Sequence, residues 1–84
     1  MPLGHHQFRA LNLAEQLAIV LVEGTYLARR YEEEDAVNLY HLGTFFCEVY
    51  YNQRYESIER TRTFTATRCL EDYAAYISLA DLLS

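Results

Sequence analysis

Hydrophobic residues in the first third of the chain recur at the spacing of an α-helix. The residues of this stripe are Leu13, Leu17, Val20, Leu21, Leu27, Ala28 and Tyr31. Asn12 is a good N-cap, and Glu15 three residues later can complete a capping box with it. The pattern therefore predicts one helix that begins after Asn12 and reaches Tyr31, with Gly24 as a bend or a point of close packing inside it.

From Ala36 the hydrophobic period changes to two, which is typical of β-strands. Residues 37–42, 45–51 and 57–64 form three alternating or β-rich runs, with turns at Gly43 and at residues 52–56. Strands this close in sequence pair antiparallel, so a three-stranded meander is expected. The acidic residues 32–35 are expected in a solvated loop, because four anions are unfavourable at a helix C-terminus.

The end of the chain returns to helical spacing. Leu70, Tyr73, Ala74 and Ile77 occupy positions i, i+3, i+4 and i+7 and predict a second helix over about residues 67–77. Residues 1–11 are expected to be a flexible N-terminal arm unless Phe8 docks, and residues 12–84 a single domain. The predicted fold class is α+β: helix, three-stranded antiparallel β-meander, helix, with the helices packed on one face of the sheet.

Compatibility of neighbouring side chains predicts the strand register and therefore the two faces of the sheet. A three-residue loop at residues 42–44 sets the first hairpin. In the second hairpin, pairing Glu48 with Arg60 avoids the like-charge pair of Glu48 with Glu59. The face covered by the helices would then be mostly apolar: Val37, Leu39, Phe45, Cys47, Val49, Thr61 and Thr63.

The second face would carry aromatic and charged side chains together. Its members are Tyr40, Phe46, Glu48, Tyr50, Ile58, Arg60 and Arg62. No segment of the chain remains to cover this face in the predicted fold. Since Tyr and Arg are enriched at protein interfaces, we expect these seven residues to form an interaction surface.

Composition narrows the choice of partner. The 84 residues carry a net charge of −5, and all seven basic side chains are Arg. An acidic chain disfavours duplex nucleic acid, because much of the affinity of duplex-binding proteins comes from neutralising phosphates. Arginines that alternate with aromatics do leave one alternative open, which is binding of single-stranded nucleic acid by base stacking on the sheet.

Candidate catalytic and metal-binding residues are few. The histidines and cysteines are His5, His6, His41, Cys47 and Cys69, and none of them has the spacing of a known metal motif. Cys47 and His41 would share the helix-covered face without meeting, and the three glycines form no phosphate loop. We expect no metal, no cofactor and no enzymatic activity.

Two cysteines are too few for a disulfide framework, so both thiols are expected to be free and the compartment to be the reducing cytoplasm. The most apolar stretch, residues 17–22, is far shorter than a membrane span, so no membrane partner is expected.

Several segments together resemble a family of small bacterial proteins whose activity is unknown. The resemblance is carried by Phe45-Phe46-Cys47-Glu48-Val49-Tyr50-Tyr51, by the strand that follows, by Gly24-Thr25-Tyr26-Leu27-Ala28, by Val37-Asn38-Leu39-Tyr40 and by Leu70-Glu71-Asp72-Tyr73. It implies a shared α+β fold and brings no catalytic residues with it.

These observations favour a small non-enzymatic interaction or regulatory protein that forms a homodimer or binds an unidentified partner protein. Two surfaces are candidates: the Tyr/Arg face of the sheet, and the first helix, which has spare apolar residues at Ile19, Val22 and Tyr26. The acidic residues 32–35 and the arginines of the third strand are also complementary charges that a two-fold dimer could use.

Overall fold

In a computed structural model of the protein, the part of the chain that is described is residues 4–65. Two helices, α1 (His5–Arg9) and α2 (Leu13–Glu23), precede four strands: β1 (Thr25–Glu32), β2 (Asp35–Leu42), β3 (Phe45–Asn52) and β4 (Ser57–Phe64). The strands form one antiparallel sheet in the order β1-β2-β3-β4. The α+β class is confirmed. The predicted helix at residues 67–77 and Cys69 lie outside the described residues.

Helix α2 begins where the capping pattern predicts. Asn12 Oδ1 accepts a hydrogen bond from the Glu15 amide at 2.9 Å, and Glu15 Oε1 accepts one from the Asn12 amide at 3.3 Å. The helix ends at Glu23, well before Tyr31, because the backbone leaves the helical conformation at Gly24 (φ −76°, ψ 143°). Gly24 is thus the C-cap of α2, and the prediction of a continuous helix through it is wrong.

Residues 25–32 form strand β1, so the predicted three-stranded meander is a four-stranded sheet. Their burial alternates: Ala28 and Arg30 are buried, whereas Arg29 and Tyr31 are exposed. Thr25, Tyr26 and Tyr31 are of the residue types enriched in strands. The apolar residues assigned to a helix there do not alternate regularly, because the β1–β2 register shifts between Tyr26 and Ala28. Gly24 separates the two elements. Of the acidic run, Glu33 and Glu34 make the β1–β2 turn and Glu33 has a positive φ of 55°.

The register of the first predicted hairpin differs from the observed one by one residue. Leu42 pairs with Phe45 across a two-residue turn of Gly43 and Thr44, where a three-residue loop was expected. Gly43 has φ 72°, a left-handed conformation that glycine adopts at little cost. A one-residue shift moves every side chain of a strand to the other face. Val37 and Leu39 therefore lie on the face opposite to Cys47, and the predicted apolar face is wrong for these two residues.

The second hairpin differs from its prediction by two residues, which preserves the faces. Glu48 pairs with Arg62 and Tyr50 pairs with Arg60. A β-bulge then breaks the ladder, because Tyr51 pairs with Ile58 and leaves Glu59 as the extra residue. The bulge moves Ile58 to the opposite face from Arg60, contrary to the prediction.

Both described helices lie on one face of the sheet, which we call the helix face. Its buried core consists of Phe8, Val20, Leu42, Phe45, Cys47 and Val49, with Leu11, Leu17, Ile19 and Tyr40 packed against them. Phe8 of α1 is fully buried, and the His5 ring stacks on Phe45 with centroids 5.1 Å apart. Phe8 therefore docks in the core, which is the condition that the sequence set for an ordered N-terminal arm.

Candidate functional site

The other face of the sheet, which we call the network face, carries a buried cluster of charged and aromatic side chains. Strand pairing places Arg30, Val37, Glu48, Tyr50 and Arg62 on this face, since directly paired residues point to the same side. Glu48 and Tyr50 are each 1% exposed, and Val37 is fully buried. The centre of this face is therefore not the open surface that the sequence predicted.

Arg30 contacts three other members of the cluster, Glu32, Glu48 and Tyr50. Its Nη2 lies 3.1 Å from Glu48 Oε2 and donates to the Tyr50 hydroxyl at 3.1 Å, and its Nη1 donates to Glu32 Oε2 at 2.7 Å. The Tyr50 hydroxyl lies 3.5 Å from Glu48 Oε1, to which it can donate, and Arg62 Nε lies 3.4 Å from the same oxygen. Both carboxylate oxygens of the buried Glu48 thus have at least one donor, as a buried charge requires.

Electrostatics in the cluster follow from these contacts. Burial by itself would lower the pKa of Arg30, but its hydrogen bond to Glu32 and the charge of Glu48 outweigh burial and raise that pKa. The hydrogen bond from Arg30 holds the pKa of the Glu32 carboxyl below its ordinary value. Both groups are therefore charged at neutral pH, and they form an ion pair.

Five of the seven residues predicted as an interaction surface do share one face: Phe46, Glu48, Tyr50, Arg60 and Arg62. The other two, Tyr40 and Ile58, lie on the helix face because of the register shift and the bulge. Arg60 stacks on Tyr50, with its guanidinium carbon 3.7 Å from the ring centroid. Phe46 stacks on Phe64 at 5.4 Å. The aromatic rings of this face are thus occupied by contacts within the chain.

Cys47 and His41 lie on opposite faces, since Cys47 pairs with Tyr40 and His41 pairs with Phe46. The expectation that they share a face is wrong. Cys47 is fully buried, and burial, with a smaller contribution from the charge of Glu48, raises the pKa of its thiol to about 12. A thiol of that pKa is almost entirely protonated at neutral pH and is a poor nucleophile.

Within residues 4–65, no group of three or more His, Cys, Asp or Glu side chains is arranged to hold a metal ion. Among the helices of the described residues, none combines the length and the apolar character that crossing a membrane requires. No protein-family model, curated protein or solved structure matches this chain. The resemblance to a bacterial family therefore stays a prediction.

The helix face holds a feature that the sequence did not indicate, an open groove between α2 and the far half of the sheet with a volume of about 360 Å³. We call it the α2 groove. Its apolar and aromatic lining is Leu17, Val20, Leu21, Ala36, Val49, Tyr51 and Ile58, and its polar lining is Arg29, Asn38, Tyr40 and Gln53. Five of these side chains belong to β1, β2 and the bulged end of β4, which are the regions where the sequence-based prediction was wrong.

Polar groups of the groove lie near one another. Arg29 Nε donates to Asn38 Oδ1 at 2.8 Å, which holds the guanidinium in place. Burial raises the pKa of Tyr40, and the neighbouring Tyr26 raises it further, whereas the charge of Arg29 opposes both. The Tyr40 hydroxyl is therefore neutral at physiological pH and available as a hydrogen-bond donor.

The solvent side of α2 forms a second apolar feature, which we call the α2 strip: Ala14, Ala18, Leu21 and Val22. Leu21 is 79% exposed and Val22 is 83% exposed. The members lie at positions i, i+4, i+7 and i+8, so they share one side of the helix. The sequence predicted Ile19, Val22 and Tyr26 as spare apolar surface of one helix. Val22 is exposed on α2, but Ile19 packs against the core and Tyr26 belongs to β1.

Proposed function

We propose that the protein is a non-enzymatic interaction protein that self-associates through the α2 strip. The observation that carries this proposal is the exposure of Leu21 and Val22 side by side on a helix whose opposite side is buried in the core. A single exposed leucine is unremarkable, but an apolar strip along a whole helix leaves apolar area that association would remove from water. The helix, rather than the Tyr/Arg face, is thus the better-supported of the two predicted surfaces.

A second copy of the chain fits the strip because its two halves differ in size. Ala14 and Ala18 are small and lie toward the N-terminus, whereas Leu21 and Val22 are large and lie at the C-terminus. In an antiparallel pair of α2 helices around a two-fold axis at Ala18, Val22 of each copy faces Ala14 of the other. Such a pair places ridges against grooves and opposes the helix dipoles favourably.

The proposed contact between two α2 helices is small, so we expect a low affinity. Helix α2 has 11 residues and is therefore about 16 Å long. A pair of such helices buries less area than a standard protein interface of about 1,600 Å². We therefore expect a reversible dimer with a dissociation constant on the order of 10 µM or weaker.

Sedimentation equilibrium between about 5 and 500 µM protein tests the proposal. We expect a monomer–dimer equilibrium that Ala18→Glu shifts to monomer, because a carboxylate at the two-fold axis meets its symmetry mate in an apolar contact. Glu59→Ala is the control, since Glu59 is an exposed residue of the β4 bulge that belongs neither to the α2 strip nor to the lining of the groove. A monomer at all concentrations, or a dimer unaffected by Ala18→Glu, overturns the proposal.

The single-stranded nucleic-acid alternative has less support. Base stacking needs aromatic faces open to the solvent, but Tyr50 is buried under Arg60, and Phe46 stacks on Phe64. Glu48 also pairs with Arg62, which reduces the positive charge available to phosphates. Its test is binding of a fluorescent oligonucleotide at 50 mM salt, where phosphate contacts give a higher affinity than at physiological salt. No detectable binding there excludes this alternative.

A further inference from the structure

We propose that the α2 groove is a binding site for an apolar molecule that ends in a carboxylate, with the apolar part between α2 and the sheet and the carboxylate at Arg29. The site goes beyond self-association and does not require it, although Leu21 belongs both to the α2 strip and to the lining of the groove. The walls of the groove, one cation and the donors beside that cation support the proposal.

The walls and the size of the groove fit a small apolar ligand. Leucine, valine, isoleucine and tyrosine side chains from α2, β3 and β4 line about 360 Å³ of space. Small-molecule sites are commonly clefts of roughly 300–1,000 Å³ with apolar walls and a few polar groups. Val20 and Val49 belong to the buried core, so the floor of the groove is part of the rigid interior of the protein.

Arg29 supplies the charge. It is the only charged residue among the described residues that line the groove, and it makes no ion pair within residues 4–65. The neighbouring Arg30 differs from Arg29 in position and in pairing: it points to the network face and forms ion pairs with Glu32 and Glu48. Arg29 Nε is used by Asn38, which leaves the two terminal nitrogens of the guanidinium to meet a ligand.

Further donors accompany the guanidinium. The Tyr40 hydroxyl has no hydrogen-bond partner among residues 4–65, although the ring packs against the core. Asn38 accepts the Arg29 hydrogen bond with its carbonyl oxygen, so its amide group remains a donor. Arginine binds a planar carboxylate with two parallel hydrogen bonds, and additional neutral donors strengthen that contact. Cationic and donor groups beside an apolar cleft select an apolar carboxylate over a neutral or cationic molecule of the same shape.

Titration with straight-chain acids and alcohols, followed by ¹⁵N–¹H NMR and calorimetry, tests this site. Octanoate is expected to bind saturably and to shift the amide resonances of Val49 and Tyr51. Hexanoate, which is two methylenes shorter, should bind about 15-fold more weakly, because each methylene removed from water contributes roughly fourfold in affinity. Octan-1-ol should bind about 10- to 100-fold more weakly than octanoate, because it lacks the charged hydrogen bonds.

Two variants assign the head group. Arg29→Gln should lower the affinity for octanoate by about 10- to 100-fold and leave that for octan-1-ol unchanged. Tyr40→Phe should cause a smaller loss, of about threefold to tenfold, with the same selectivity. Arg54→Gln is the charge-matched control, since Arg54 is an exposed arginine paired with Glu34 outside the groove. Because Arg29 and Arg54 are both exposed, their variants are expected to keep the fold, with NMR shifts confined to residues near each substitution.

Failure of this site and failure of self-association give different results. Ala18→Glu changes a residue that does not line the groove, so it should abolish the dimer and leave octanoate binding intact. The site is overturned if octanoate shows no saturable binding, if octan-1-ol binds as tightly as octanoate, or if Arg29→Gln and Arg54→Gln have equal effects. Resonance shifts confined to the network face also overturn it.

Discussion

At the scale of single residues, two arginines that are adjacent in sequence have unrelated roles. Arg29 and Arg30 point to opposite faces of β1, as successive strand residues must. Arg30 is buried among Glu32, Glu48 and Tyr50, whereas Arg29 is exposed at the α2 groove. The stability of the protein therefore depends on Arg30 and its partners, and ligand binding is assigned to Arg29.

Removal of the buried carboxylate of Glu48 should be strongly destabilising. Glu48→Ala leaves the buried Arg30 without its buried partner, since Glu32 is half exposed, and the Tyr50 hydroxyl with one contact fewer. Breaking a buried ion pair in this way costs about 3–5 kcal/mol in the free energy of unfolding. Urea denaturation followed by circular dichroism measures the loss.

An exposed ion pair in the same protein provides the comparison. Glu34→Ala removes the partner of Arg54, which lies 3.7 Å away with both side chains more than half exposed. We expect a change of less than about 1 kcal/mol. Equal effects of Glu48→Ala and Glu34→Ala would contradict the assignment of the network face as a buried cluster.

At the scale of helices and strands, the sequence predicted the beginning of α2 correctly and its end wrongly. The capping box at Asn12 and Glu15 is a specific pattern with a local physical cause, and it is present in the structure. The end of α2 was missed because Leu27, Ala28 and Tyr31 continue the helical spacing, whereas the register shift between Tyr26 and Ala28 breaks the alternation that would indicate a strand. Gly24 separates the two interpretations, and an isolated glycine in a helical pattern is also compatible with a continuing helix.

Gly24 is needed where α2 ends because the chain turns too sharply there for a side chain. A Cβ atom at residue 24 would lie 2.5 Å from the Val20 carbonyl oxygen. Since that oxygen belongs to the backbone of α2, relief requires movement of the helix end, and Gly24→Ala should cost about 1–3 kcal/mol. The free energy of unfolding in urea and the helical signal at 222 nm measure the effect.

Gly43 is the matched position for this test. A Cβ there meets no atom within 4 Å, but the residue has φ 72°, so Gly43→Ala should cost about 1 kcal/mol from backbone conformation alone. If Gly24→Ala changes the free energy of unfolding by less than about 0.5 kcal/mol, the sharp exit from α2 is not what fixes the boundary between helix and strand.

At the scale of the whole molecule, the accuracy of the predicted strand register explains why part of the network face was predicted and the α2 groove was not. Compatible charge pairs in the second hairpin were enough to place Phe46, Glu48, Tyr50, Arg60 and Arg62 together, because an error of two residues preserves the face. The turn at Gly43 and Thr44 was not predictable from side-chain pairs, and its error of one residue exchanged the faces of Val37 and Tyr40. The α2 groove depends on the position of β1, so it could not be found without the four-stranded sheet.

The sequence suggested two origins of self-association, complementary charges and apolar residues of the first helix. Whether salt raises or lowers the dimer dissociation constant distinguishes them. In a dimer built on complementary charges, the acidic residues 32–35 of one copy would meet arginines of the other, and salt would weaken it. The structure disfavours this origin, because Glu32 and Glu34 are paired with Arg30 and Arg54 of their own chain. The α2 strip is apolar, and each copy carries a net charge of −5, so the long-range force between copies is repulsive.

Raising sodium chloride from 0.01 to 0.15 M shortens the screening length from about 30 to about 8 Å and should lower the dimer dissociation constant several-fold. Sedimentation equilibrium at both concentrations measures it, and an equal osmolarity of sucrose controls for effects unrelated to charge. Screening weakens only an attraction between opposite charges. A dissociation constant that rises with salt would therefore contradict the α2 strip as the interface and indicate the acidic turn and the arginines of β4 instead.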